Sequence, residues 1–240
     1  MSDKLYIVIP AYNEEDNIRQ VVEDWYPVVT ARGADSRLVV VNDGSKDSTY
    51  NILTSMAKEM PQLIALNKTN GGHGATVLFG YKYALENGAD YIFQTDSDGQ
   101  TLPSEFDPFW NSREKYDIII GYRFSRRDGL SRKIVTRVLR LVVHICFGVF
   151  VLDANTPYRL MKSGPLRNNM KYVPEDFFLS NVALSAIYKK KNMKMHFIPI
   201  TFRPRQGGVN SINIKKIFGV GVKALSDFKK INENLKYSDI

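Results

Sequence analysis

YIFQTDSDGQ, residues 91–100, sets two aspartates one residue apart directly behind a short apolar run. Tyr91-Ile92-Phe93 has the make-up of a buried strand, too short for a helix and followed by turn-forming residues. An acidic pair is poor material for a core, so Asp96 and Asp98 belong at the exposed end of that strand. Two carboxylates at i and i+2 in a turn can approach one divalent cation, which in turn neutralises a diphosphate, and Gln100 can add a neutral oxygen. The plainer alternative is a solvated acidic loop. What separates the two is whether other clusters meet at the same edge.

Outward from this turn, the first half of the chain repeats one pattern. Leu5–Ile9, Leu38–Val41, Leu63–Leu66 and Ile118–Ile120 are further apolar runs of strand length, with helix-period segments near residues 16–30, 48–59 and 73–86. Asn13 and Asp47 are candidate caps for the first two helices, and Gly88 is a candidate end for the third. Short apolar strands alternating with helices predict an α/β fold with a mostly parallel, Rossmann-like central sheet and helices on both faces. Ligands of such sheets bind at the carboxyl ends of the strands. Pro10–Glu14, Asn42–Ser45, Asn67–Gly74 and Asp96–Gln100 all fall at such ends, and that coincidence favours a site.

The second half is less regular. Helices are expected over Ser131–Leu152, Asp176–Lys189 and Ile214–Ile231, strands over Thr156–Met161 and Met195–Ile200, and a glycine-bearing loop over Pro204–Ser211. With no repeat, low-complexity tract or linker, residues 1–240 read as a single domain.

Composition narrows the class. The 240 residues are 44% hydrophobic and 24% charged, as in ordinary globular proteins. One cysteine, Cys146, excludes an internal disulfide, and three scattered histidines give no zinc pattern. The first residues lack the apolar stretch of a signal peptide, which predicts a cytoplasmic location. The net charge of +8 conceals an asymmetry: residues 1–120 carry 10 Lys and Arg against 18 Asp and Glu, whereas residues 121–240 carry 23 against 7. Either the second half has a solvated basic surface, or it meets an anionic partner such as phospholipid, lipid phosphate or nucleic acid.

Two phosphate-binding classes are disfavoured. The turn after the first strand, Pro10-Ala11-Tyr12-Asn13-Glu14, has no glycine, and no Walker lysine motif is present. Instead "IVIPAYNEEDNI", "VVVNDGSKDST", "NGGHGATVLFGYKYA" and "DSDGQ" together resemble the inverting nucleotide-sugar glycosyltransferases of family two, which have the GT-A fold. "IIIGYRFSRRDG" and "DANTPYRLM" extend the resemblance toward the polyprenyl-phosphate branch, over roughly residues 4–210.

The resemblance implies a GT-A-like single domain, with residues 1–122 as the nucleotide-sugar-binding half and 123–240 as the acceptor- and membrane-facing half. The donor would be a UDP- or GDP-linked sugar, and Asp96, Asp98 and Gln100 would hold Mg²⁺ or Mn²⁺ on its diphosphate, with Ser97 beside it. Pro10, Ala11, Tyr12 and Glu14 would form the nucleoside pocket, with the Tyr12 ring against the base, and Asp43 would contact base or ribose. Tyr12 and Asp43 read equally as a packed aromatic and a turn aspartate. Asn70–Gly74 would approach the sugar or diphosphate, unless Gly74 serves helix packing alone. Arg123, Arg132, Arg203 and Arg205 would hold phosphate, as guanidinium geometry suits, and the loop from Arg203 to Gly208 would close over the site. Arg123 remains open to a solvent-only role.

Glu175-Asp176 leaves the acceptor open. In hydroxyl-acceptor members of the family a similarly placed acid is the general base, whereas a phosphate monoester is already ionised near neutral pH. The acid also reads as a helix cap. Asp98, Asp176 and Arg205 are thus the candidate catalytic residues. For the acceptor, "IVTRVLRLVVHICFGVFVL" (residues 134–152) is too short and too interrupted for a span of about 20 residues. Lys133, Arg137, Arg140 and His144 share one helical stripe, the pattern of a helix lying in a membrane interface. A core helix with one polar face is the alternative. Arg126, Arg127 and Arg132 favour anionic lipid, and the basic helix over Ile214–Ile231 is a second candidate. The expectation is therefore a peripheral enzyme at the inner face of the cell membrane, acting on a polyprenyl phosphate or a glycan. Nucleic acid is not expected as a partner, and an oligomer is left open. A non-catalytic membrane-surface binding module is the reading from another class.

Overall fold

The computed structural model describes residues 3–123, 130–204 and 214–237, with side chains described for all of these except 130–136, 214–224 and 237. Seven strands, β1 (Leu5–Ala11), β2 (Arg37–Asn42), β3 (Leu63–Asn67), β4 (Tyr91–Gln94), β5 (Ile118–Arg123), β6 (Arg159–Lys162) and β7 (Met195–Ile200), form one sheet. Its order is β3-β2-β1-β4-β6-β5-β7. β6 runs antiparallel to β4 and β5, and every other pairing is parallel. The mostly parallel sheet expected from the sequence is present.

β1 shows why these runs become strands. All seven of its residues are buried, and alternation sends Leu5, Ile7 and Ile9 to one face and Tyr6 and Val8 to the other. Helices α1 (Ile18–Thr30), α2 (Thr49–Ala57) and α4 (Asp107–Ser112) cover the first face. The second is covered by α3 (His73–Glu86), α5 (Leu130–Phe147), α6 (Ser163–Met170), α7 (Ser180–Lys190) and α8 (Ile214–Tyr237). On the first face the Phe93 ring of β4 lies 4.6 Å from Tyr158, 4.9 Å from Phe106 and 5.3 Å from Trp25. Such aromatic pairs contribute about 0.5–1.5 kcal/mol each beyond area burial, and here they anchor the strand whose end bears the acidic pair.

Several expectations are corrected. α4 and α6 are absent from the sequence reading: they are six and eight residues long, carry Pro108 and Pro165, and are held by burial of Phe109, Trp110 and Leu166 rather than by propensity. α7 starts at Ser180, not Asp176, and α5 stops at Phe147, not Leu152. α3 does end before Gly88. Neither Asn13 nor Asp47 caps its helix by the N-cap position, because α1 and α2 begin after Asn17 and Ser48. Instead the two loops brace each other. Asn13 N–H donates to Ser45 Oγ (2.9 Å) and its Oδ1 accepts from Lys46 N–H (2.9 Å), while Asp47 accepts from the N–H groups of Glu15 (3.1 Å) and Thr49 (3.0 Å).

The expected basic stripe on α5 is also used differently. Arg140 donates to the Leu152 carbonyl, and the His144 ring stacks on Phe150 with centroids 4.0 Å apart. Two of the four stripe residues therefore fold onto the segment after the helix. Arg126, Arg127 and residues 205–211 of the expected loop lie outside the described residues, as do the side chains of Arg132 and Lys133.

Candidate active site

The carboxyl ends of β1, β2 and β4 lie side by side in the sheet. Pro10 and Ala11 are still within β1, buried and paired with Val41 and Asn42, so the chain first emerges at Tyr12. Tyr12 is 43% exposed on the braced platform of the 12–17 and 43–49 loops, and is not a core aromatic. Glu14 is buried, its Oε2 accepting from Asn17 Nδ2 (2.9 Å) and its N–H donating to Thr49 Oγ1 (2.9 Å). Glu14 thus supports the platform beneath Tyr12.

Asp43 is the hub of the β2 end. Its carboxylate accepts from Lys68 Nζ (2.7 Å), Gly71 N–H (2.9 Å) and Gly72 N–H (2.9 Å), and its carbonyl accepts from Asn70 Nδ2 (2.9 Å). Burial pushes the carboxyl up, but the Lys68 ammonium and the Gly71 N–H outweigh it and hold Asp43 below the usual aspartate range. The loop over residues 68–72 is therefore wound around one carboxylate. A polar cleft of about 600 Å³, lined by Asn42, Ser45, Tyr50, Asn51, Asn67 and Lys68 among others, opens on the β2–β3 side of this hub. Asp96 and Asp98 do not line it, so this cleft lies beside the 43–49 loop rather than at the acidic turn.

At the β4 end, Thr95 and Thr101 hydroxyls meet at 2.6 Å and close the base of the turn. Ser97 is buried, Asp98 Oδ1 accepts from Gln100 N–H (3.1 Å), and Asp96 Oδ1 lies 3.0 Å from His73 Nε2. Desolvation lowers the His73 pKa, but the Asp96 carboxylate, by charge and hydrogen bond, raises it more, so the imidazole sits above its ordinary value. The glycine-rich motif around His73 gives this side chain no role from sequence alone. Its place at the first residue of α3, opposite the end of β4, needed the sheet order to be known.

Gly74 settles its own alternative. A Cβ there would stand 2.2 Å from the Phe177 carbonyl oxygen and 2.5 Å from that of Phe178. It serves the close packing of α3 on the 174–179 segment. That contact brings the Glu175-Asp176 segment beside His73. Asp176 is exposed, and α7 begins at Ser180 with no side-chain cap, so the capping alternative for this acid is absent. Glu175 is exposed and pairs with Lys82 at 3.3 Å.

The remaining candidates divide. Gln100 donates its Nε2 to the Arg203 carbonyl (2.7 Å), and Arg203 N–H donates to the Gln100 carbonyl (2.8 Å). Gln100 is thus a clasp that ties the start of the arginine loop to the acidic turn. Arg123 is half-buried against Asp153, with Nε and Nη2 each 3.2 Å from a carboxylate oxygen, and lies over the Phe202 ring. A solvent-only role for Arg123 is excluded. Arg205 lies outside the described residues. The sequence reading also passed over Arg159, a fully buried cation beside Gln94 that donates to the carbonyls of Ala154 (3.1 Å), Thr156 (2.6 Å) and Asn181 (3.0 Å). Burial pulls its pKa down, against the attraction of nearby groups that include Asp153 and Asp96. It places positive charge behind the acidic turn.

Among the described residues no group of three or more His, Cys, Asp and Glu side chains converges as a closed metal cage. The donor set fits a different kind of site. Mg²⁺ and its like are commonly held by one or two carboxylates and complete their shell with substrate phosphates and water, and Asp96 with Asp98 supplies such a pair at a strand end.

Comparison with known proteins agrees with this architecture. The chain is 28% identical over 223 residues to a UDP-N-acetylglucosamine–dolichyl-phosphate N-acetylglucosaminyltransferase of Methanococcus voltae, covering 83% of this chain and 86% of that protein. It is 25% identical over 223 residues to an undecaprenyl-phosphate mannosyltransferase of Micrococcus luteus, covering 88% of each. Glucosyl-3-phosphoglycerate synthase of Mycobacterium tuberculosis, solved with Mn²⁺, UDP-glucose and phosphoglyceric acid, superposes with a TM-score of 0.69 at 15% identity, over 96% of this chain and 80% of that one. The last likeness is one of fold. Residues 6–142, more than half of the chain, match the family described as Glycosyl transferase family 2, and the chain belongs to that family of sugar transferases.

Proposed function

We propose that the protein transfers a sugar from a nucleoside diphosphate donor, UDP- or GDP-linked, to a polyprenyl phosphate at a membrane surface, with inversion at the anomeric carbon. The observation that carries this reading is the convergence of the Tyr12 platform, the Asp43-wound loop, the Asp96–Asp98 turn and the Arg203 clasp on one sheet edge. The nucleobase lies on Tyr12, and the diphosphate points toward the acidic turn. Asp96 and Asp98 hold Mg²⁺ or Mn²⁺, which supplies positive charge to the leaving diphosphate. His73 fixes the Asp96 carboxylate. An ionised acceptor oxygen attacks the anomeric carbon while the bond to the diphosphate breaks and its electron pair leaves with the diphosphate, so no base is required. Arg203, and beyond the described residues Arg205, bring guanidinium groups to the acceptor phosphate. The relatives that act on dolichyl and undecaprenyl phosphates support that acceptor.

A sugar hydroxyl as acceptor, with Asp176 as base, is the second reading. It is favoured by one observation: Asp176 is exposed on the segment packed against the start of α3 and caps nothing. No helix among the described residues is long and apolar enough to cross a membrane, in keeping with a peripheral enzyme. Thermal-shift measurements with UDP- and GDP-sugars, with and without Mn²⁺, test the donor half. One nucleotide class should raise the melting temperature in a Mn²⁺-dependent way, and no shift with either would refute the reading.

A further inference from the structure

Five of the seven large apolar side chains exposed among the described residues belong to one place: Val138, Leu141, Ile145, Phe150 and Leu152, at 54%, 57%, 62%, 68% and 48% exposure. Val138, Leu141 and Ile145 form a strip along α5, while Val143, Cys146 and Phe147 on its other side are buried in the core. This helix is apolar on two faces, which a core helix does not need. After Phe147 the chain turns at Gly148, whose φ of +72° suits glycine, and folds back beside the helix. Phe150 stacks on His144, Arg140 donates to the Leu152 carbonyl, and Lys190 Nζ donates to the Phe147 carbonyl (3.1 Å). Arg140 and His144, two of the polar side chains expected to face lipid headgroups, thus also hold an apolar knuckle in shape.

We infer that this knuckle is the part of the protein that enters the lipid, seating Leu141, Ile145, Phe150 and Leu152 at the boundary between headgroups and acyl chains of an anionic bilayer. The inference rests on the polyprenyl-phosphate reading above, and it names the surface by which that site meets its lipid. Contiguous exposed apolar patches mark interaction sites, and a cationic rim selects the occupant. Arg137 is exposed one residue before Val138 and one turn before Leu141, Arg140 lies next to Leu141, and Lys190 adjoins the end of the helix. A second protein copy would have to match that rim with acids, whereas lipid phosphates match it directly. Position agrees as well. Leu152 is followed by Asp153, which pairs with Arg123 at the end of β5, so the knuckle stands next to the sheet edge where a lipid phosphate has to arrive. The binding surface is thus primarily an apolar wedge, to which Arg137 and Arg140 of the basic stripe contribute the rim.

Flotation of the full chain with vesicles of phosphatidylcholine and phosphatidylglycerol in equal parts, without donor or acceptor, tests this directly. Wild-type protein should float, and should keep part of its binding in high salt because apolar insertion is not screened. Phe150→Ser and Ile145→Ser should each weaken binding about tenfold, from the loss of an inserted apolar side chain, and Leu141→Ser should do the same without touching the His144 stack. All three sites are exposed, so circular dichroism and Mn²⁺-dependent nucleotide binding should stay at the wild-type level. Flotation of the variants equal to wild type, absence of wild-type flotation, or a wild-type dimer in solution that the variants convert to monomer would overturn the inference. Vesicle binding without sugar transfer to polyprenyl phosphate would refute the proposed activity and leave the wedge standing.

Discussion

Asp96 has its carboxylate 3.0 Å from His73 and Asp98 has one oxygen engaged by the Gln100 N–H, so the two acids differ in what surrounds them. Asp98→Asn keeps an oxygen that can accept from Gln100 N–H and removes only the charge. Transfer should fall to background while the melting temperature stays within a degree or so, since the fold loses no packing; wild-type turnover in this variant would count against the metal assignment. Asp176 belongs to the same scale. With a phosphate acceptor, Asp176→Asn should keep most of its kcat, whereas Arg205→Ala should lose acceptor affinity. A fall of roughly 10²–10⁴-fold in kcat with donor binding unchanged is what loss of a general base produces, and that outcome would transfer the assignment to a sugar hydroxyl.

At the scale of elements, the contact between α3 and the 174–179 segment sets helix propensity against packing. Alanine is favoured over glycine inside a helix by about 1 kcal/mol, yet a Cβ at Gly74 would stand 2.2 Å from a backbone oxygen. Overpacking of this kind costs about 1–3 kcal/mol and resists relief because the neighbour is main chain. Gly74→Ala should therefore lower the melting temperature by several degrees, at roughly 2–4 °C per kcal/mol for a domain of this size; a stabilised variant would show that the segment moves freely. The same contact shows what the sequence does and does not disclose. Strands such as Tyr91–Gln94 and Met195–Ile200 were legible to the residue because a short apolar run between turn residues has one reading. The four clusters at strand ends followed from that pattern, and with them the acidic pair. β6 reads from the sequence as a strand that starts three residues too early, over Thr156–Met161; its antiparallel place between β4 and β5 and the short helices α4 and α6 were not legible, because tertiary contacts rather than local preference hold them. His73, Arg159 and the double duty of Arg140 were hidden for a related reason: each depends on which distant segment a side chain meets.

At the scale of the molecule, an acidic first half and a basic second half meet along one sheet. In the first half Asp43 ties the end of β2 to the 68–72 loop, and this fixes a response to acid. Asp43 has a folded pKa below the unfolded one, so its contribution to stability is fully present above the ordinary aspartate value near 3.8 and fades as pH falls through the folded value. Lys68→Met removes the opposing ammonium and should cost about 2 kcal/mol at neutral pH, the range for a lost charged hydrogen bond, and it should narrow the stability gap to wild type as the medium is acidified below that value. A gap independent of pH would show that Lys68 acts through packing alone.

One measurement bears on the whole account: mass spectrometry of the lipid product after incubating the full chain with a short polyprenyl phosphate in detergent, UDP- and GDP-sugars, and Mn²⁺. The account predicts a polyprenyl monophosphate carrying one sugar, formed from one nucleotide class and abolished by excess EDTA. Failure to form that product from any donor of either class, or its undiminished formation in excess EDTA, would contradict it.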